Sequence, residues 1–441
     1  MTVIKNIRLG LLHVAVAVSL VPITGVLNRI MITELNILSS IVAALIILPY
    51  VLSPMQVWVG QYSDTHPLFG YRRTPYIALG LLLCIGGAAL TPYAALELKR
   101  DFWPGLLLCA LAFGGWGVGF NFAVVSYLSL ASDLSEEHQR SRTIAIMWFM
   151  MIFSIIVTAI LVGHALETYS EPQLLRVFSI TALVALGLAA LGLIGLEPRN
   201  QQLRPQSRHS QRAALALIVS NPQARLFFVY LVLLLAAILG QDILLEPFGA
   251  QAFGMSVSET TRLTALWGGM TLIALLLQGL VLSRWLSKKS GAMFGGVISA
   301  FGLLLIALSG VSYTVQLTPS LHVAQSIFLI GVAALGFGTG IATSTNLALM
   351  LDMTTPEQVG MFIGAWGVAD SLARGTGSLL GGVVRDVVVH VTGNASSGYV
   401  TVFLIEALML GVALLLLRRL DVQTFRRQQP TLTELVALTE G

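Results

Sequence analysis

The stretch from Pro104 to Ala131 reads PGLLLCALAFGGWGVGFNFAVVSYLSLA and holds no Asp, Glu, Lys or Arg. About 20 mainly apolar residues in one run are what a helix needs to cross a bilayer core. No water is available there, so such a run closes its own backbone hydrogen bonds as a helix. Charge resumes at Asp133, just beyond the run. Inside it Gly115, Gly117 and Gly119 alternate. They are not a nucleotide loop, because they lie within an apolar helix with no Walker lysine. Small residues in this setting let a neighbouring helix approach closely.

Eleven more runs of this kind lie at 8–32, 36–60, 75–97, 143–167, 173–196, 223–246, 262–285, 291–313, 324–351, 358–390 and 397–419. The eleventh span, 358–390, is glycine-rich, and its outer part is expected to tilt or break. Of the 441 residues, 56% are hydrophobic and only 10% charged. The mean hydropathy is +0.84. A soluble domain carries about 25% charged residues, so a cytosolic enzyme, a disordered chain and a coiled coil are excluded. The expected fold is an all-α membrane protein of twelve transmembrane helices. The first run is long and followed by others, so it reads as a first span and not a cleaved signal. Cys84 and Cys109 sit in apolar runs and suggest neither a disulfide framework nor a metal site. The net charge of +4 is spread over short loops and is no nucleic-acid signal.

With the N-terminus inside, 18 of the 25 Lys and Arg fall in inner segments. That asymmetry predicts cytoplasmic N- and C-termini. The longest polar stretch between spans separates six runs from six. The domain reading is therefore a six-helix half at 1–196, a cytoplasmic linker at 197–222, a second half at 223–419 and a cytoplasmic tail at 420–441. The halves repeat weakly. Gly336, Gly338 and Gly340 alternate in the tenth run, with Asp352 and Gln358 after them, as Asp133 and Gln139 follow the fourth; Trp366 then matches Trp148. Pseudo-repeated halves are the build of transporter folds with a midplane site.

The strongest local motif is Gly60-Gln61-Tyr62-Ser63-Asp64, then Gly70-Tyr71-Arg72-Arg73-Thr74-Pro75-Tyr76. Gly60 is expected to permit close helix contact, Asp64 to meet a helix N-terminus or an arginine, and Pro75 to open the next helix. The motif resembles the signature loop of the major facilitator superfamily, G-x-x-x-D-R-x-G-R-R. Thr65 stands where the family has a base, the Asp64 to Gly70 interval is longer, and Ser283 occupies the acid slot of the second half. These departures weaken the charge relay on which transport gating relies.

Leu27-Asn28-Arg29-Ile30-Met31-Ile32, with Glu34-Leu35 after it, resembles the PucC/LhaA branch of that superfamily. So do Ser63-Asp64-Thr65-His66, Gly70 to Ile77, His13-Val14-Ala15-Val16 and Leu52-Ser53-Pro54. The resemblance implies work on chlorophyll-type pigments or their antenna proteins. Its cofactor would be a chlorophyll or bacteriochlorophyll, a magnesium tetrapyrrole. Its partners would be light-harvesting antenna polypeptides, a chlorophyll synthase or a reaction-centre complex, in an inner photosynthetic membrane.

Intramembrane polar residues default to functional hypotheses. His13, Asn28, Arg29, Asn121 and Asn346 are the pigment- or substrate-binding candidates; His13 leads, because first spans line the cavity in the fold this chain resembles. Gly60, Asp64, Gly70, Arg72 and Arg73 form the gating or structural motif. Asp370 and Arg374, four apart on the eleventh span, share a face and can pair. Asp242 and Glu246 have the same spacing on the seventh, where like charges would suit a proton site, although interfacial solvation also fits. Glu406 is expected to face a neighbouring helix or to stay protonated. No hydrolase triad, metalloprotease pair or redox centre is present. Prenyl transfer would need Asp-rich metal motifs, which are missing, so no enzyme is expected. The leading reading is a non-catalytic factor that delivers pigment during antenna assembly. A proton-coupled transporter of a lipophilic or small solute, and a structural antenna subunit, also fit these residues.

Overall fold

Apolar runs that must satisfy their own backbone groups become helices. In the computed structural model of the chain, all twelve runs are helical. The structure describes residues 3–135, 140–199, 221–314, 320–352 and 359–421, and no β-strand occurs among them. Among the described residues ten helices are long and apolar enough to cross a membrane. Their flanks expose large apolar side chains, such as Leu183 at 68% and Leu408 at 69%. That surface suits lipid contact, and the chain is an integral all-α membrane protein.

The first run is not one regular helix. α1 (Val3–Val21) passes into a π-helical segment at Pro22–Leu27 and then into α2 (Asn28–Thr33). Pro22 lacks a backbone donor and stands at the start of the widened turn. The second run is in three pieces: α3 (Ser39–Ile46), α4 (Leu48–Val51) and α5 (Met55–Thr65). Pro49 and Pro54 account for the breaks. α6 (Thr74–Arg100), α7 (Phe102–Leu134), α8 (Arg140–Ala165) and α9 (Glu171–Leu193) complete the first six spans.

The seventh run breaks too. α10 (Pro222–Gly240) ends in a 3-10 turn at Gln241–Ile243, and α11 (Leu245–Phe253) follows, closed by Gly254 at φ +66. α12 (Val257–Leu280), α13 (Lys288–Thr314), α14 (Leu321–Asp352), α15 (Val359–Thr392) and α16 (Ala395–Arg419) follow. The expected break in the eleventh span is corrected: α15 is continuous over 34 residues, because interior glycine costs only about 1 kcal/mol and does not remove a donor.

Two compact units result. One comprises Met1–Leu203 with Asp242–Ala265; the other comprises Arg204–Gln241 with Leu266–Gly441. The segment after the break in the seventh run thus belongs with the first six spans. In the first unit Leu9, Leu12 and Val16 of α1 pack with Ile77 and Leu81 of α6 and with Tyr127 and Leu130 of α7. In lipid this packing works through close contact more than through expulsion of water. Gly119 is where α7 meets α6, and a Cβ there would overlap the Cys84 backbone. In the second unit Gly338 of α14 does the same against Ser299 of α13. The alternating glycines of the repeat are therefore packing positions.

Candidate functional site

A polar side chain inside a helical membrane unit needs a partner, so the buried polar clusters locate the candidate sites. One enclosed cluster lies in the first unit, at the broken ends of the first and seventh runs. Asn28 is fully buried and its Nδ2 donates to Ile243 O at 2.7 Å. Arg29 Nη1 donates to Glu34 Oε1 at 3.0 Å, and its Nη2 to Met255 O at 3.2 Å. Glu246 opens α11 and is 2% exposed. Its Oε1 accepts from Thr264 Oγ1 at 2.6 Å. That oxygen occupies the space left by Gly25, where a Cβ would stand 2.7 Å from it. Glu246 Oε2 and Asn28 Oδ1 are buried with no hydrogen-bond partner.

Two expectations are corrected here. Asp242 and Glu246 do not share the face of one helix, because Asp242 lies in the 3-10 turn and Glu246 in the helix that follows it. Nor is Glu246 solvated at an interface; it is enclosed, while Asp242 is half-buried.

The signature loop forms a second cluster. Phe69 and Gly70 both have positive φ, and Leu68 and Tyr71 exchange backbone hydrogen bonds at 2.9 Å across them. Gly70 suits this left-handed turn because it has no Cβ. The turn delivers Arg72 and Arg73 to Asp133: Arg72 Nη2 lies 3.1 Å and Arg73 Nε 3.6 Å from Oδ2. Arg73 Nη1 also donates to Ser63 Oγ at 2.5 Å. Glu197 caps the start of α6, accepting from the backbone N–H groups of Arg72, Arg73 and Thr74 and from Thr74 Oγ1, at 2.7–3.1 Å. A carboxylate at a helix N-terminus gains from both the free donors and the helix dipole. The expected close contact at Gly60 is corrected, since a Cβ there would meet only Val125 at an ordinary 3.6 Å. The side chain of Asp64 lies outside the described residues, as do Gln139 and Gln358 of the repeat.

His13 sits in the core of the first unit. Its ring is 5.2 Å from Tyr127 and 5.4 Å from Trp148, and its buried Nδ1 has no hydrogen-bond partner. Asn121 joins α7 to the broken second run: Oδ1 accepts from Gln56 Nε2 at 2.6 Å, and Nδ2 donates to Pro49 O and Gly117 O at 2.8 Å. On a flank of the same unit an open groove of about 640 Å³ is lined by Leu90, Tyr93, Glu97, Leu108, Leu111 and Glu171, among others.

In the second unit Asn346 Oδ1 accepts from Tyr230 Oη at 2.8 Å, and Nδ2 donates to Ala342 O. Arg374 Nε donates to Asp370 Oδ2 at 3.1 Å, both side chains being about 30% exposed (28% and 32%). Glu406 faces α10, where a Cβ at Gly240 would lie 2.9 Å from its Oε1. Arg385, paired with Asp386 at 2.9 Å, lies over the Tyr399 ring.

The family profile described as PUCC protein matches residues 26–425. The chain belongs to the PucC family. Protein PucC of Rhodovulum sulfidophilum is 34% identical over 397 residues, covering 87% of this chain and 85% of that one. Protein PucC of Cereibacter sphaeroides is 31% identical, covering 91% and 89%. The bacteriochlorophyll synthase 44.5 kDa chain of Rhodobacter capsulatus is 30% identical, covering 86% and 87%. Among solved structures, the nucleoside transporter NupG superposes with a TM-score of 0.70 at 15% identity, covering 94% of this chain and 98% of that one. A bacterial homologue of ferroportin, inward-facing, gives 0.70 at 13%, covering 95% and 99%. These likenesses establish a major-facilitator fold and nothing about cargo.

The clusters explain the motifs of this PucC-family chain. Arg29 is anchored through both terminal nitrogens, Arg73 through Nη1 and its ion pair with Asp133, and Asn121 and Asn346 are engaged within the protein. Glu197, Thr264 and Gly25 escaped the sequence reading. Glu197 lies in a polar linker and Thr264 in an ordinary apolar run; only Gly25, three residues from Asn28, carried a usable signal. His13 does not fit a tetrapyrrole in this arrangement. It is 6% exposed, with Tyr127 and Trp148 against it, so a flat macrocycle would reach its ring only by displacing them. Among the described residues no group of three or more His, Cys, Asp or Glu gathers to hold a metal ion.

Proposed function

We propose that this protein is a non-catalytic membrane factor for assembly of photosynthetic antenna complexes, handling (bacterio)chlorophyll on its way to light-harvesting polypeptides. The observation that carries the reading is the PucC-family match across residues 26–425, with relatives that include a chain named for bacteriochlorophyll synthase. In this reading the chain works beside a pigment-synthesising enzyme or a reaction-centre complex, with both termini cytoplasmic. Departures of the signature loop, Thr65 and Ser283, favour it over ordinary transport gating. Because His13 is enclosed, pigment would meet the protein on its lipid-facing flank, where apolar side chains and the groove near Tyr93 are available. The test is purification in mild detergent from a phototrophic host. A red chlorophyll-type absorption band with co-purifying antenna polypeptides or synthase is expected. Colourless protein without those partners would count against the reading.

A second reading, proton-coupled export or uptake, draws on the enclosed Glu246 and the interrupted seventh run, features that transporters place at coupling sites. Solute uptake in proteoliposomes under a proton gradient tests it.

A further inference from the structure

The geometry points to a single-proton binding site at Glu246, closed by the broken ends of the first and seventh runs in the first unit. This inference does not depend on the cargo proposed above. Glu246 is 2% exposed, and only one of its oxygens is engaged, by Thr264 Oγ1 at 2.6 Å. The other, Oε2, is buried and unpartnered. An ionised carboxylate so placed would leave lone pairs unsatisfied in a medium that penalises charge. A neutral acid needs one fewer acceptor contact and carries no charge to desolvate.

The surrounding charges agree. Arg29 is the cation within electrostatic reach; its two terminal nitrogens are held by Glu34 at 3.0 Å and Met255 O at 3.2 Å, while its Nε is buried without a hydrogen-bond partner. The Arg29–Glu34 pair is neutral, so a charged Glu246 would add an uncompensated negative charge. Asp242, on the preceding turn, is half-buried. On α12 Glu259 caps Ser256 N at 2.7 Å and is exposed, as is Arg262. Tyr169, half-buried, lies within electrostatic reach of Glu34 and Arg29. Of these only Arg29 acts on Glu246 as a counter-charge, and it makes no hydrogen bond to either carboxyl oxygen, since Oε1 is held by Thr264 and Oε2 is unpartnered.

Asn28 completes the site. Its amide is anchored on Ile243 O, one turn before Glu246, and its Oδ1 is an unpartnered acceptor in the same cluster. Gly25 leaves the room in which the carboxyl sits. Releasing the proton demands water at Oε2, so ionisation of Glu246 and opening of this cluster are linked.

Infrared difference spectroscopy of the full chain in lipid tests the site, comparing native protein with Glu246→Gln and Thr264→Val at neutral pH. Native protein should show a protonated-carboxyl C=O band that Glu246→Gln loses. Thr264→Val should keep that band and move it to higher frequency, because Oε1 then accepts no hydrogen bond. If Glu246→Gln does not fold, the shift in Thr264→Val alone decides. Native and variant spectra that differ only in carboxylate bands, or an acid region untouched by both substitutions, would overturn the inference.

Discussion

His13 shows how residue type and residue environment part company. Its ring is held by Tyr127 and Trp148 in the interior of the first unit, so it acts as a packing residue with an idle nitrogen. His13→Ala is therefore expected to leave bound pigment unchanged per folded molecule. It should lower stability by roughly 0.5–3 kcal/mol, the ordinary range for a core truncation. Absorbance per mole of purified variant, read with its thermal midpoint, checks both halves of the expectation. Which residues are costly in lipid was legible from the sequence, since Asn28, Arg29 and Glu246 stand out by type. What surrounds each was not. The partner of Glu246 is Thr264, 18 residues on, and its room comes from Gly25 on another element. Such contacts depend on helix rotation, and a nearly uniform apolar run carries no strong face to set it.

At the scale of elements, the start of α6 is the clearest case of one residue organising a helix. Glu197 accepts three backbone N–H groups and the Thr74 hydroxyl. Losing an N-cap costs roughly 0.5–2 kcal/mol, and here one buried and several part-buried donors are orphaned at once. Glu197→Ala should destabilise by about 2 kcal/mol or more, with Glu197→Gln restoring part of it; thermal unfolding in detergent measures the order native, Gln, Ala. The element count was readable because length and apolar content suffice to mark a span. The breaks were harder. Pro49 and Pro54 announce the interruption of the second run, whereas the π-helical turn at Pro22–Leu27 and the 3-10 turn at Gln241–Ile243 follow from packing that no local pattern encodes. The glycine-rich eleventh run erred the other way, because glycine permits a bend without requiring one.

For the whole molecule, charge asymmetry among the loops sets the expected orientation. Cys84 and Cys109 are buried, so cysteines introduced at exposed Ser170 and Ser287 report alone. An impermeant thiol reagent on intact cells should label Ser170→Cys and spare Ser287→Cys; the reverse pattern would invert the topology. The twelve-span architecture and the family motif around Asn28-Arg29 and Gly70 to Tyr76 were visible in the sequence, because each rests on local residue order. Cargo was not, since the same fold serves nucleoside and metal transporters. The most direct measurement is the antenna content of a phototrophic host that lacks related genes, compared before and after deletion of this gene. The expected result is that assembled light-harvesting complex falls several-fold, by absorption and by native gel, while growth on small solutes is unchanged. Antenna complex and pigment at wild-type levels in that strain would contradict it.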